Sequence, residues 1–296
     1  MSQSATRRTL AILELLAERP DGAALGEIVH ELVMPKSIAH RLLALLADCG
    51  YVRQDPLTER YELSLKLALL GARFMAGTGM GDVAQPSLDR LAAASGELAR
   101  LAVVEGQGLV WVAKAQGAQH GLRYDPDAGT HVILHATATG KAWLATLPEA
   151  EAMAIIAATG YRTPDHFGPR VIREPDRFRT ELARTRKQGF GMAFDEGEPG
   201  TAALAVVVRA STAIGAPPVG TLSVAGPIGR FGDARCAELV ALLDDAAAEL
   251  SGLWPLRGAL APRPHENATR TDRAREGGSN DGDAPKLALS GTAAAR

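Results

Sequence analysis

Cysteine is nearly absent from this 296-residue chain, which holds only Cys49 and Cys236. Both fall in apolar helical patterns, so buried thiols in a reducing cytoplasm are expected rather than a disulfide framework or a metal pair. Long apolar runs are missing too: no stretch of about 18 uncharged apolar residues occurs, and no membrane span is expected. Arg7-Arg8 precedes an apolar run, but Glu14 and Glu18 interrupt it and no small-residue cleavage site follows, so no export signal is read. Positive charge is not in surplus. The 32 Lys and Arg stand against 34 Asp and Glu, for a net of −2, and residues 1–75 hold nine of each. A strong, non-specific hold on nucleic acid is thereby disfavoured, although a local basic patch is not.

The signatures of catalysis are lacking as well. In HATATGKA a phosphate loop would need glycine where His135 stands and Ser or Thr where Ala142 stands, so no nucleotide site is read. GFGMAF at Gly189–Phe194 lacks the third glycine of a dinucleotide fingerprint. Ser223, Asp195 and His135 could make a triad on paper, but no Gly-x-Ser-x-Gly elbow surrounds any serine. His131 and His135 would share a helix face, with Asp195 or Glu198 as an oxygen ligand, only if the run between them were helical. HVILH reads instead as a strand entering a turn, which separates them. No enzyme, cofactor or metal is expected.

What is present is length enough for two cores, with 46% hydrophobic and 22% charged residues typical of a globular protein. The stretch Leu25–Tyr51 reads as two short helices joined by a tight turn. Pro35 suits the first position of the second helix, and Gly50 stops it. Residues 100° apart put Ile38, Leu42, Leu45 and Cys49 on a core side, with Leu46 and Ala39 at its edge. Lys36, Ser37, His40 and Ala44 face away, and Arg41 flanks them, a surface that can enter a DNA major groove. Arg7–Ala17 is a packing helix, with Leu10, Leu13 and Ala17 inward and Ile12, Leu15 and Leu16 beside them. Two β-prone runs flank Asp55-Pro56 as a hairpin. Three helices and a hairpin make a winged helix-turn-helix, in which Arg7, Arg8, Lys36, Arg41, Arg53 and Arg60 can supply phosphate contacts.

Residues 64–77 read as an apolar helix ending at the glycine-rich GTGMGD, a linker and hinge over 64–82. Beyond it, helices are expected at Val83–Ala94, Ala136–Thr146, Glu149–Ala158, Arg173–Lys187 and Asp233–Leu253. Strands are expected at Ala99–Val104, Gly108–Ala115, Ala202–Arg209 and Val219–Val224, with short ones at Gly121–Tyr124 and His131–Leu134. Antiparallel strands with flanking helices give an α+β domain over 83–254. Residues 255–296, with EGGSNDGDAP among them, have almost nothing to bury and are expected to be disordered.

Two sets of motifs, in order and correctly spaced, resemble the IclR-type bacterial transcriptional regulators. The first is RRTLAILELLAE (Arg7–Glu18), PKSIAHRLLALL (Pro35–Leu46), GYV (Gly50–Val52) and RYEL (Arg60–Leu63). The second is HATATGKAWLA (His135–Ala145), QGFGMAFDEGEPGTAALAVVV (Gln188–Val208) and VGTLSVAGP (Val219–Pro227). The resemblance covers roughly residues 5–254 and implies a winged helix-turn-helix over 1–63, a linker helix that helps pair subunits, and a GAF-like effector-binding domain. It implies a homodimer or homotetramer on an approximately palindromic double-stranded operator, modulated by a small organic acid. The family's effector pocket corresponds to Ala138, Thr139, Asp195, Thr201, Ala203 and Ser223. From the residues themselves, Ala138-Thr139-Gly140 lets a ligand approach backbone amides at a helix start. Ala203 replaces a commonly found cysteine and Ala225 a frequent serine, which favours a larger or more apolar carboxylate. The rival reading is a small-molecule-binding or enzymatic GAF-like protein that uses the helix-turn-helix for protein interaction.

Overall fold

The computed structural model describes residues 4–126, 130–163 and 167–256. The expected disordered tail lies, from residue 257 onward, outside them. The N-terminal unit comprises α1 (Ala5–Ala17), α2 (Leu25–Glu31), α3 (Lys36–Asp48), β1 (Val52–Gln54) and β2 (Tyr61–Leu63). Ser4 caps α1 by accepting the Arg7 amide, and Glu27 does the same for the Ala24 amide at the start of α2, at 2.9 Å. The core is formed by Ile12, Leu15 and Leu16 of α1, Ile28 of α2 and Ala39, Leu42, Leu43 and Leu46 of α3. Leu10 and Leu45, expected inward, are instead 52% and 54% exposed. Leucines occupy more of each helix than its partners can cover, so the packing of α1 and α2, rather than the count of apolar residues, chooses the buried stripe. Cys49 is likewise exposed and Cys236 partly so. Pro35 sits one step earlier than expected, as the cap itself.

α4 (Lys66–Thr78) buries none of its residues within the chain. Gly79, at φ 63°, is the one break before α5 (Met80–Ser95) starts, so the expected glycine-rich hinge contracts to a single left-handed residue. Gly81 and Asp82 are already helical.

The larger unit is built on a five-stranded antiparallel sheet of order β4-β3-β7-β6-β5: β3 (Leu98–Glu105), β4 (Gly108–Gln116), β5 (Gly191–Phe194), β6 (Thr201–Arg209) and β7 (Pro218–Pro227). Alternation along the strands gives the sheet two different faces. Leu204, Val206 and Val208 of β6 and Leu222 and Val224 of β7 join Leu88 and Leu91 of α5 and Leu239, Leu243 and Leu250 of α9 (Asp233–Leu253). The opposite face carries smaller groups, Ala203, Ala205 and Ala193, under α6 (Ala138–Leu144). Beside α6, α7 (Glu149–Thr159) and α8 (Pro175–Gln188) pack Ile155, Ile156, Phe178 and Leu182 around Trp143 and Trp111.

Two glycines let α6 settle this close. A Cβ at Gly191 would stand 2.1 Å from the Ala138 carbonyl oxygen, and one at Gly140 would stand 2.2 Å from that of Leu134. β5 was not expected from the sequence: four residues beginning with glycine carry a weak β signal, and pairing with Ala202–Ala205 of β6 makes the strand. Conversely, Gly121–Tyr124 and His131–Leu134 are not strands, since His131 forms only an isolated bridge to Val110.

Candidate functional site

The outward side of α3 presents Lys36, Ser37, His40 and Arg41, all exposed, around the first two turns. Arg7 is exposed and Arg8 half-buried in α1. Arg53 stands on the hairpin, its side chain 73% exposed, and reaches Glu62 at 2.7 Å. Arg60, grouped with them from the sequence, has other partners: it donates to the Gly22 and Asp21 carbonyls at 2.9 and 3.2 Å and to Glu27 at 2.9 Å. It therefore ties the hairpin to the start of α2 and leaves the proposed phosphate-contact set. Its partner Glu27 is held below the ordinary carboxylate range, first by the Ala24 amide, against burial, and then by Arg60 and Arg19.

The second candidate is a cavity between the first turn of α6 and the small-residue face of the sheet, about 430 Å³ counted out to its open mouth. Thr137 caps α6: its hydroxyl donates to the Ile133 carbonyl at 3.0 Å and accepts the Gly140 amide at 3.1 Å. Ala136, Ala138 and Thr139 complete that wall; Thr201, Ala203, Ser223 and Ala225 form the opposite one, with Ala193 at its edge. Thr201 donates its hydroxyl to the Glu198 carbonyl at 2.7 Å, whereas the Thr139 and Ser223 hydroxyls have no hydrogen bond among the described residues. Arg100, Trp111 and Tyr124 close the far side.

Behind this cavity Lys141, wholly buried, donates to both Glu196 oxygens at 2.6 and 2.7 Å and to the Met192 carbonyl at 2.9 Å. Glu181 lies 3.6 Å away. The lysine of the rejected phosphate-loop motif is thus spent on a carboxylate, and the pair pins α6 to the β5–β6 connection. Burial raises the Glu196 carboxyl, against the pull of Lys141. His135, 2% exposed, packs edge-on to Tyr161 at 5.3 Å, and burial drives it down to about 4, so its ring is neutral.

Two family models match in tandem: the IclR helix-turn-helix domain over residues 5–56, and the bacterial transcriptional regulator IclR C-terminal domain over residues 73–252. The chain belongs to the IclR family. Like its relatives, it is a transcriptional regulator with a DNA-binding helix-turn-helix and not an enzyme. It is 30% identical over 246 residues to the HTH-type transcriptional regulator XynR of Escherichia coli, a match spanning 82% of this chain and 94% of that one. The fold is similar to that of an IclR-type regulator from Alicyclobacillus acidocaldarius (TM-score 0.71, 22% identity, 88% and 100% of the two chains). It is also similar to an IclR homolog from Microbacterium hydrocarbonoxydans crystallised as a complex with 4-hydroxybenzoate (TM-score 0.67, 21% identity, 84% and 98%).

Within this IclR-family chain the cavity brings together Ala138, Thr139, Thr201, Ala203 and Ser223, the residues expected from the motifs. Two expected residues are not in its wall. Asp195, at φ 55°, turns its carboxylate onto the Gly200 amide at 2.7 Å and lies 3.8 Å from Arg170, so it closes the β5–β6 turn. Gly140 serves helix packing through its missing side chain. Sequence reasoning missed Arg100, Trp111, Tyr124 and Thr137. For Arg100 a signal existed, because it is the lone charge inside the apolar strand LARLAVV, whose first five residues are all buried.

Proposed function

We propose that this IclR-family regulator is ligand-responsive, with a small organic acid in the cavity beside α6 altering how pairs of α3 helices engage an approximately palindromic operator. The observation that carries the reading is the make-up of the cavity wall: small apolar groups, the Thr139 and Ser223 hydroxyls, and, among the described residues, no lining carboxylate once Asp195 is turned away. Such a site recognises a compact acid by shape and a few polar contacts. The 4-hydroxybenzoate held by the Microbacterium homolog is a ligand of this kind and suggests the first probes.

In this reading, residues 1–63 read DNA in the cytoplasm through Lys36, Ser37, His40 and Arg41, with Arg7, Arg8 and Arg53 on phosphate, 64–82 connect, and 83–254 sense. A homodimer or homotetramer supplies the second α3. Leu65, Leu69, Leu70 and Phe74 on or beside α4 are 42–78% exposed, and an apolar helix with nothing buried suits a second copy of the chain. Ligand binding then shifts the population between arrangements that set the spacing of the two reading helices.

The test is fluorescence anisotropy on the DNA upstream of the protein's own coding region, at two salt concentrations, with and without aromatic and short-chain carboxylates. Specific, ligand-sensitive binding is expected, and Thr139→Val is expected to weaken the ligand response by about 1 kcal/mol while leaving ligand-free DNA binding intact. Binding that is indifferent both to every acid and to Thr139→Val would sink the ligand-responsive part of the reading.

A further inference from the structure

We propose a second anion site that shares the β5–β6 connection with the effector cavity: a cleft lined by Arg170, Arg177 and Arg184 that takes a phosphate-bearing small molecule and is coupled to the cavity through that connection. The binding site stands on its own; the coupling rests on the cavity being the effector site. The sequence concentrates positive charge here. Residues 170–187 hold seven Lys and Arg against three Asp and Glu, in a chain whose net charge is −2. Arg177 and Arg184, seven apart on α8, lie on one side of that helix, and Arg170 joins them in the cleft from the segment before it.

The cleft is open, about 1050 Å³ counted out to its mouth, with Met192 and Phe194 as an apolar wall. Two of its guanidiniums are slackly held. The Arg170 side chain is 70% exposed and makes no hydrogen bond among the described residues, since the Asp195 carboxylate stands 3.8 Å away. The Arg177 side chain is 71% exposed and reaches Glu174 only at 3.5 Å. Arg184 differs: its fork is closed on Glu181 at 3.0 and 2.7 Å, so it adds charge to the wall rather than free donors. Glu196, the one carboxylate among the described lining residues, has both oxygens on Lys141. Two available guanidiniums beside a compensated carboxylate suit a dianion, and the planar fork of arginine matches the oxygens of a phosphate. In so open a cleft, charge rather than shape does the selecting.

Arg170 is tied to the connection by backbone. Its amide donates to the Asp195 carbonyl at 3.0 Å, and the Gly168 amide donates to the Glu196 carbonyl at 2.9 Å. Glycine permits this approach, because a Cβ at position 168 would stand 2.0 Å from the Asp195 carbonyl oxygen. Three successive residues of the connection then serve both sites. Asp195 holds the Gly200 amide and stands beside Arg170, Glu196 lines the cleft and Gly197 lines the effector cavity. An anion that draws Arg170 off Asp195 therefore acts on a turn that forms part of the cavity wall, and the coupling must run equally in reverse.

The experiment is calorimetry on the full-length protein at about pH 7.5 in phosphate-free buffer, with phenyl phosphate, phenyl sulfate and inorganic phosphate as probes. A phosphate monoester carries a charge of about −2 there, whereas the sulfate ester of the same shape carries a single one. Phenyl phosphate is therefore expected to bind at least fivefold more tightly than phenyl sulfate, and comparison with inorganic phosphate tells whether the ligand is an ester or the free ion, either of which bears out the site. Arg170→Gln combined with Arg177→Gln is expected to weaken phenyl phosphate tenfold or more, and Glu174→Gln to tighten it twofold or more by releasing Arg177. Thermal melts establish that these variants fold. Ala203→Leu, which fills the effector cavity, should leave phenyl phosphate binding unchanged; loss of binding there would put the anion in the cavity and overturn the cleft site. The cleft site is equally overturned if the double variant binds phenyl phosphate as the wild type does, or if its only deficit is a tenfold loss on non-operator duplex, which would make these arginines a contact for the DNA backbone. Failure of every probe to bind up to about 10 mM, beyond the millimolar range of a weak specific contact, overturns it too. For the coupling, saturating phenyl phosphate should change benzoate affinity at least twofold in the wild type and not in the double variant. Benzoate that binds identically with and without phenyl phosphate overturns the coupling and leaves the cleft. No benzoate binding at all, with phenyl phosphate still bound, sinks the effector cavity, and the coupling with it, but not the anion site.

Discussion

Helices α3 and α6 both follow a turn and both carry their proposed contacts in the first turns, yet α3 keeps one side in solvent while all seven residues of α6 are buried. On α3 the outward polar groups are displayed by default, because the leucines take the inner side and what remains must face out. On α6 nothing is displayed. A hydroxyl there is meaningful only through what the sheet places opposite, and a lysine there survives only because Glu196 meets it. A half-solvated helix is read from its own period; a fully buried one is read from its neighbours.

The hardest blow to the buried side of this comparison is Lys141→Met. It strands Glu196 without its cation, and breaking one partner from such a pair costs about 3–5 kcal/mol. Calorimetric melting at pH 7 should show the loss, and the double variant Lys141→Met with Glu196→Gln should recover much of it. An unchanged melt would mean that α6 is not held by this pair.

Next in size is the response to acid of the segment leading into α6. His135 titrates near 4 in the fold, below an ordinary 6.5, so its contribution is complete above pH 6.5 and disappears as pH falls through that window towards 4. About 2 kcal/mol of stability should be gone by pH 5. His135→Leu should flatten that part of the stability profile, and a wild-type profile level between pH 6.5 and 4 would refute the effect.

For the solvated side, Ser37→Ala and His40→Ala should each erode discrimination between operator and non-operator DNA by about 1–2 kcal/mol. Arg41→Ala should instead weaken all sequences alike and make the salt dependence shallower. Competition binding distinguishes these patterns, and three variants with unaltered preference and affinity would remove α3 as the reading helix.

The smallest effect sharpens the comparison at the turn before α3. Val33 is 88% exposed and sits at φ 46°, a left-handed conformation that a β-branched residue adopts only under strain. Val33→Gly should stabilise the N-terminal unit by up to about 1 kcal/mol, relief of strain exceeding the entropy cost of glycine. A lower melting temperature would show that the valine side chain contributes more than its backbone costs.

Where a segment's own pattern dominates, the reading from sequence succeeded. α9 runs from Asp233 to Leu253 as its periodicity indicates, Glu174 and Gly189 bound α8, and the charged first turns of α3 stand where the wheel put them. Where several arrangements share one pattern, it faltered. Leu45 was counted inward because an apolar side chain is the only sign available without its partners. GTGMGD looked like a hinge because glycine permits a break, yet α4 takes up Gly77 and Thr78 and α5 takes up Met80 to Asp82, which leaves only Gly79 between them. Asp195 matched a family position, and only the β5–β6 turn reveals that its carboxylate holds the Gly200 amide.

The sequence by itself determined that this is an IclR-type regulator of α+β fold, because local periodicity, capping residues and two ordered sets of motifs are properties of the chain that do not depend on distant contacts. Only the tertiary structure decided which polar groups meet. Arg100 beside Ser223, Trp111 beneath Arg100 and Lys141 against Glu196 are separated by as much as 123 residues in the chain and are joined by sheet register and the close seating of α6. Arg100 and Trp111 meet across one hairpin, whereas the other two pairs arise from strand pairing and helix seating across the whole domain, and no short window of sequence contains both of their partners.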